Sequence, residues 1–167
     1  YRMDTDSRTL YQGAASNSLA QIDQDNLSLR LGALYELDHG LSPYVSYAES
    51  FEPVAGADKQ GQAFKPATGR QWEGGLKFLS EDMSKTFTVA AFHITKENAL
   101  VTDPDNVYGP KLQTGETVSK GVELEGRADL TSRLDLTASY TLMDMEITRD
   151  TTSLQGKTPV WVPEQMA

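Results

Sequence analysis

Apolar and polar residues alternate one for one over residues 121–144, GVELEGRADLTSRLDLTASYTLMD. Val122, Leu124, Gly126, Ala128 and Leu130 fall on one face, and Glu123, Glu125, Arg127 and Asp129 on the other. After a tight polar turn, Leu134, Leu136, Ala138, Tyr140 and Leu142 alternate with Asp135, Thr137, Ser139 and Thr141. Period two predicts two paired strands of about ten residues with one apolar and one polar face. In a soluble protein such an apolar face covers a core. In an outer-membrane barrel it faces lipid and the polar face lines the lumen.

The same alternation predicts further strands upstream. Over residues 27–37, Leu27, Leu29, Leu31, Ala33, Tyr35 and Leu37 share a face. Asp38, His39 and Gly40 make a turn, with glycine where a positive φ is wanted. A strand over 41–51 follows, and pairing sets Ala33 opposite Val45 and Leu31 opposite Tyr47, which matches apolar to apolar. Residues 69–79 place Trp72, Gly74, Leu76 and Phe78 together. Residues 86–96 are apolar on both faces. The expectation is Ala90, Phe92 and Ile94 on the apolar side, which would bring Phe92 opposite Trp72 and leave His93 on the polar side. Residues 1–7 read as the tail of a strand, and Val160, Trp161 and Val162 as the start of another.

Connections alternate in length. Residues 38–40, 80–85 and 131–133 are short turns, whereas 8–24, 52–68, 97–115 and 147–159 are long polar loops. Short turns at one end and long loops at the other describe an up-and-down barrel of the outer membrane. Strands of this length can cross a bilayer when tilted. The fold class expected is therefore all-β, an antiparallel up-and-down meander of about seven strands. The alternative is a soluble β-sandwich or carbohydrate-binding module, and a porin or autotransporter barrel is a third reading.

Composition narrows the function. The 167 residues carry 15 basic and 24 acidic side chains, net −9. That balance argues against nucleic acid, which needs a basic surface. There is no cysteine, hence no disulfide framework and no thiolate metal site. The chain starts at Tyr1 with no methionine or signal peptide, and seven strands with the start of an eighth do not close a barrel. Both observations lead to the expectation of a fragment of a longer protein.

No motif for catalysis, nucleotide binding or a cofactor is visible. Glu123 and Glu125 could be a carboxylate pair for acid–base work, but beside Arg127 they read as lumen lining. His39 and His93 lack partners at zinc-like spacing, so no metal site is expected. Asp103–Asn106 lacks the glycine and distant glutamate of a calcium loop. Parity gives Leu29, Leu31, Val45, Tyr47, Trp72, Leu124, Leu136 and Tyr140 as lipid-facing, with Tyr47, Phe51 and Trp72 as an aromatic girdle. Glu123, Glu125 and Arg127 are then lumen-facing. Tyr108, in a long loop, is a weak candidate for ligand binding.

Residues 43–53, PYVSYAESFEP, resemble the TonB-dependent outer-membrane siderophore receptors, the ferrichrome and hydroxamate type in particular. Further similarity follows in order at Phe64-Lys65-Pro66, at residues 69–77 (GRQWEGGLK), and at Gly115-Glu116 with residues 120–125 (KGVELE). It ends at Ala138–Thr141 and at GKTP, 156–159, with Val162-Pro163. The similarity spans about residues 27–167 and is weak before that. It implies a piece of a transmembrane barrel of about 22 strands, with the plug domain, the TonB box and the remaining strands outside this chain. The implied partners are a ferric siderophore, the TonB complex through the plug region, and outer-membrane lipid. The implied role is import of the siderophore, without enzymatic activity and without a cofactor.

Overall fold

The computed structural model describes residues 5–9, 20–24, 27–56, 62–101, 111–113, 115–150 and 154–167. Among these, strand β1 (Thr5–Thr9) and strand β2 (Ala20–Gln24) pair antiparallel as a ladder of their own, from Thr5 opposite Gln24 to Thr9 opposite Ala20. The expectation of an unbroken loop over 8–24 is thus corrected. Strand pairing is made by backbone groups, so a polar run without apolar alternation can still form a ladder.

The main sheet is antiparallel throughout. It contains β3 (Arg30–Leu34), β4 (Leu41–Glu52), β5 (Ala67–Leu79) and β6 (Lys85–Glu97). After a minor ladder of β7 (Leu100–Val101) with β8 (Leu112–Gln113), it resumes with β9 (Glu116–Thr131), β10 (Leu134–Arg149) and β11 (Gln165–Met166). The order is β11-β10-β9-β6-β5-β4-β3, seven strands in which successive members are neighbours once the minor ladder is set aside. This is the meander the alternation predicts. The register expected for the first hairpin agrees as well, with Leu31 opposite Tyr47 and Ala33 opposite Val45; in the β9–β10 hairpin Leu124 lies opposite Tyr140 and Ala128 opposite Leu136, apolar to apolar.

Three expectations are corrected. First, β6 turns its other face. His93, not Phe92, lies opposite Trp72, and Phe92 lies opposite Glu73 and Gly121. Both faces of β6 are apolar enough for either choice, so the 80–85 turn and the neighbouring ladders fix the register instead. Second, β9 and β10 are 16 residues each, longer than the stretch of clean alternation. Third, residues 160–161 form a turn and the next strand begins only at Gln165. Trp161 has φ 67°, a left-handed conformation that breaks an extended run, and Pro163 follows it.

The short turns are locally determined. At the first, His39 and Gly40 have φ of 63° and 76°. A Cβ on Gly40 would meet the carbonyl of Leu79 on the neighbouring strand, so glycine is needed there for space as well as for φ. At the second, the Asp82 carboxylate accepts from Ser80 Oγ at 2.7 Å, Ser84 Oγ at 2.8 Å and the Ser84 N–H at 3.1 Å. The hydroxyls of Ser80 and Ser84, then the Ser84 amide, hold its pKa down at about 2. The long connections are also tied. The Gln113 side-chain amide donates to the carbonyls of Lys65 at 2.7 Å and Asn98 at 2.9 Å, and its oxygen accepts from the Lys65 N–H at 3.0 Å.

Candidate functional site

With the registers known, every strand residue can be assigned to one of two faces. The first carries Leu31 and Ala33 of β3, Val45 and Tyr47 of β4, and Trp72, Leu76 and Phe78 of β5. It continues through Phe87, Val89 and Ala91 of β6, Val122 and Leu124 of β9, and Leu136, Tyr140 and Leu142 of β10. These side chains are not covered: Leu31 is 62% exposed, Trp72 57% and Leu136 55%. Leu29, 47% exposed, flanks them and anchors β3 to β4 by accepting the Glu49 N–H at 2.9 Å.

The apolar face ends sharply. One row runs Tyr47, Trp72, His93, Lys120, Asp144 across five strands. The next row toward the long connections runs Glu49, Arg70, Thr95, Val118, Glu146. Tyr47 and Trp72 pack with ring centroids 4.8 Å apart, tilted by 46°. Beyond them lies a surface ion network. Arg70 reaches Glu97 at 3.5 Å, and Arg149 reaches Glu97 at 3.3 Å and Glu116 at 3.5 Å. Glu97 and Glu116 are direct cross-strand partners, a like-charge pairing that is unfavourable on its own. The register shift between Ile147 and Arg149 brings Arg149 level with Glu116, where it bridges both carboxylates.

The second face is polar. Glu123, Glu125 and Arg127 share it, as parity requires, with Arg127 3.4 Å from Asp129 and 3.6 Å from Asp135. Sequence reasoning gave no role to Tyr44, Gln71, Glu73 and Lys77, which the fold gathers here. The Tyr44 hydroxyl donates to Glu73 Oε1 at 2.7 Å and the Gln71 amide donates to Glu73 Oε2 at 3.0 Å, so both carboxylate oxygens are fixed. Lys77 Nζ stands 4.8 Å from the centre of the Tyr44 ring. The available signal is Tyr44's parity, opposite to that of Tyr47. Two aromatics on this face lie across glycines of the adjacent strand. A Cβ on Gly75 would come within 2.8 Å of the Tyr44 ring, and one on Gly121 within 2.8 Å of the Phe92 ring.

No group of three or more metal-ligating side chains occurs among the described residues. Tyr108 and the Asp103–Asn106 run lie outside the described residues. No helix of the described residues is long and apolar enough to cross a membrane, which says nothing of crossing by strands.

The family model for the β-barrel of TonB-dependent receptor-like proteins matches residues 1–167. The chain is 40% identical over 145 residues to the ferrichrome outer membrane transporter/phage receptor of Escherichia coli K12, covering 87% of this chain and 19% of that protein. It is 34% identical to the ferrioxamine B receptor of Salmonella typhimurium, covering 90% of this chain and 21% of that protein. Among solved structures, the siderophore receptor PiuA of Acinetobacter baumannii superposes with a TM-score of 0.71 at 24% identity. That match covers 95% of this chain and 25% of PiuA, and it speaks to fold alone. The chain therefore spans about a fifth of the length of these two curated relatives.

Proposed function

Because the chain belongs to the TonB-dependent receptor β-barrel family, we propose that it is part of the wall of an outer-membrane receptor that binds a ferric siderophore and imports it with energy relayed by TonB. In this reading the face bearing Leu29, Leu31, Val45, Tyr47, Trp72, Leu124, Leu136 and Tyr140 meets lipid. The face bearing Glu123, Glu125 and Arg127 meets the lumen. The observation that carries the reading is the division between faces: a broad apolar surface left exposed on one side of an antiparallel meander and a hydrogen-bonded polar surface on the other. A membrane barrel needs that division.

The soluble-sandwich alternative finds no support. A sandwich buries its apolar face against a second sheet, and among the described residues no second sheet lies on this one. The names of the relatives, for ferrichrome and ferrioxamine, favour a hydroxamate cargo. A wall segment of this kind supplies no catalytic group, and the reading is of a transporter, not an enzyme.

The test is uptake of radiolabelled ferric hydroxamate siderophores by cells with and without the gene, each with TonB present or deleted. Uptake should require both. Equal uptake without the gene, or recovery of the protein in the soluble fraction, would overturn the reading.

A further inference from the structure

At the end of the sheet that bears the long connections, the polar face holds a cleft of about 340 Å³. Glu52, Pro53, Val54, Lys96, Leu100 and Lys111 line it. The registers put its strand residues on the face of Tyr44, Glu73 and Glu123: Glu52 lies opposite Ala67, and Lys96 lies opposite Gly69, two residues along the same strand. In the receptor reading this is the lumen side, at its mouth.

Three charges meet in the cleft. Lys96 Nζ reaches Glu52 Oε2 at 3.1 Å. Lys111 has no ion-pair partner among the described residues. Its position is set by the residues that follow it. Leu112 and Gln113 pair with Val101 and Leu100, and the Gln113 side chain clasps Lys65 and Asn98, so two long connections are tied together beside the cleft. A site assembled before its ligand arrives loses less on binding. Two ammonium groups against one carboxylate leave a surplus of one positive charge, in a chain whose net charge is −9. An anion is repelled by such a chain as a whole and gains only where cations are gathered. A surplus of one charge matches a monoanion. Both cations are lysines, compact charges without the flat fork by which guanidinium grips phosphate. The Lys96–Glu52 pair has side chains 44% and 67% exposed, so it is weakly held and free to open toward a ligand. Pro53, Val54 and Leu100 supply hydrocarbon for a short aliphatic stem.

We propose that this cleft is a subsite for a carboxylate on a short aliphatic arm of the ferric siderophore, one that takes no part in holding the iron, with Lys111 and Lys96 on its oxygens. The proposal rests on the reading of the chain as part of a receptor for ferric hydroxamates. The test uses the intact receptor, purified in a mild detergent, and three ferric complexes of one linear trihydroxamate, ferrioxamine B. Its terminal amine is left free, acetylated, or succinylated to end in a carboxylate. Affinities would be read from quenching of the receptor's tryptophan fluorescence. The succinylated complex should bind about fivefold more tightly than the acetylated one, and the advantage should shrink in high salt. Lys111→Met should remove most of the advantage and Lys111→Met with Lys96→Met all of it, whereas Lys111→Arg should keep it. The acetylated complex should bind wild type and variants alike, which also shows that the variants are folded. Equal affinity of wild type for all three complexes, tighter binding of the free amine, or a preference that survives in the double variant would refute the subsite alone. Binding of none of the three would overturn the hydroxamate reading and the subsite with it.

Discussion

An arginine carried down the apolar face of β9 and β10 tests the wall most directly. From Val122 to Leu130 is eight residue steps, about 26 Å along a strand at ~3.3 Å per residue. A strand tilt of roughly 40° reduces this to about 20 Å along the bilayer normal, close to the ~25 Å apolar band of such barrels. The central row is Gly126 with Ala138. Leu124 and Leu136 lie one row to either side, about 5 Å from the midplane by the same spacing and tilt. Arginine at either should cost about 2–4 kcal/mol, while arginine at Leu142, near the boundary row, should cost about 0–1 kcal/mol. At 1.4 kcal/mol per tenfold, the central substitutions lower the folding equilibrium about 30- to 700-fold. Glu125→Arg, one residue away on the opposite face, is the control and should shift stability little. The assay is reversible folding of the intact receptor into phospholipid vesicles, followed by guanidinium titration. A flat profile along Leu124, Leu136 and Leu142, or a cost at Glu125 equal to that at Leu124, would refute the assignment of the faces.

Four further outcomes follow from the geometry. Gly121→Ala and Gly75→Ala bring a methyl group against backbone carbonyls of the next strand as well as the Phe92 and Tyr44 rings; each should cost about 1–3 kcal/mol in folding titrations, whereas Gly126→Ala, with nothing nearer than 3.5 Å, should be near neutral. Asp82 is held down at about 2 when folded against about 3.9 unfolded, so its contribution is present above pH ~4 and is lost as pH falls toward ~2; Asp82→Asn should lower the unfolding midpoint at pH 7 and match wild type at the acid end. Arg149→Ala leaves Glu97 and Glu116 opposed and should cost at most about 1 kcal/mol, since the network is exposed, with the loss shrinking in high salt. Finally, cysteine at Glu116 should react with a membrane-impermeant maleimide on whole cells and cysteine at Ser132 should not, because those residues lie at opposite ends of β9 and the turn that follows it.

The strands and most of their registers were legible wherever one face was apolar and the other polar. The β9–β10 hairpin is the clearest case, where parity and the position of the polar turn together set Leu124 opposite Tyr140. The reading failed where the code is degenerate. In β6, Phe87, Val89 and Ala91 compete with Ala90, Phe92 and Ile94, so local hydrophobicity cannot select a face. In β1 and β2 it failed because a ladder of backbone bonds needs no apolar signal. The ion network was illegible for a different reason: the register shift near Ile147 moves Arg149 to the level of Glu116, and no residue type announces it. Tyr44 lies 29 residues from Glu73 in sequence, and only pairing of β4 with β5 brings it together with Gln71 and Glu73.

The correction at β6 strengthens the wall. Had Phe92 faced Trp72, its ring would have left the Gly121 side and exposed the tightest backbone approach in β9. With His93 opposite Trp72 and Lys120, the boundary row instead passes from the aromatic pair Tyr47–Trp72 to His93, Lys120 and Asp144, and the apolar rows below it remain continuous through Ala91, Val89 and Phe87. Beyond this row, β9 and β10 continue to Glu116 and Arg149, still paired and bearing charges on the same face. At the other end the apolar residues Leu130 and Leu134 adjoin the turn itself. The strands therefore overrun the apolar band on one side only, which distinguishes the two ends independently of loop length. An asymmetric overrun fits a barrel whose long connections stand outside the cell and whose short turns sit at the periplasmic boundary; under the proposed lipid-facing reading, the Arg70–Glu97–Arg149 network would then lie at the outer headgroups.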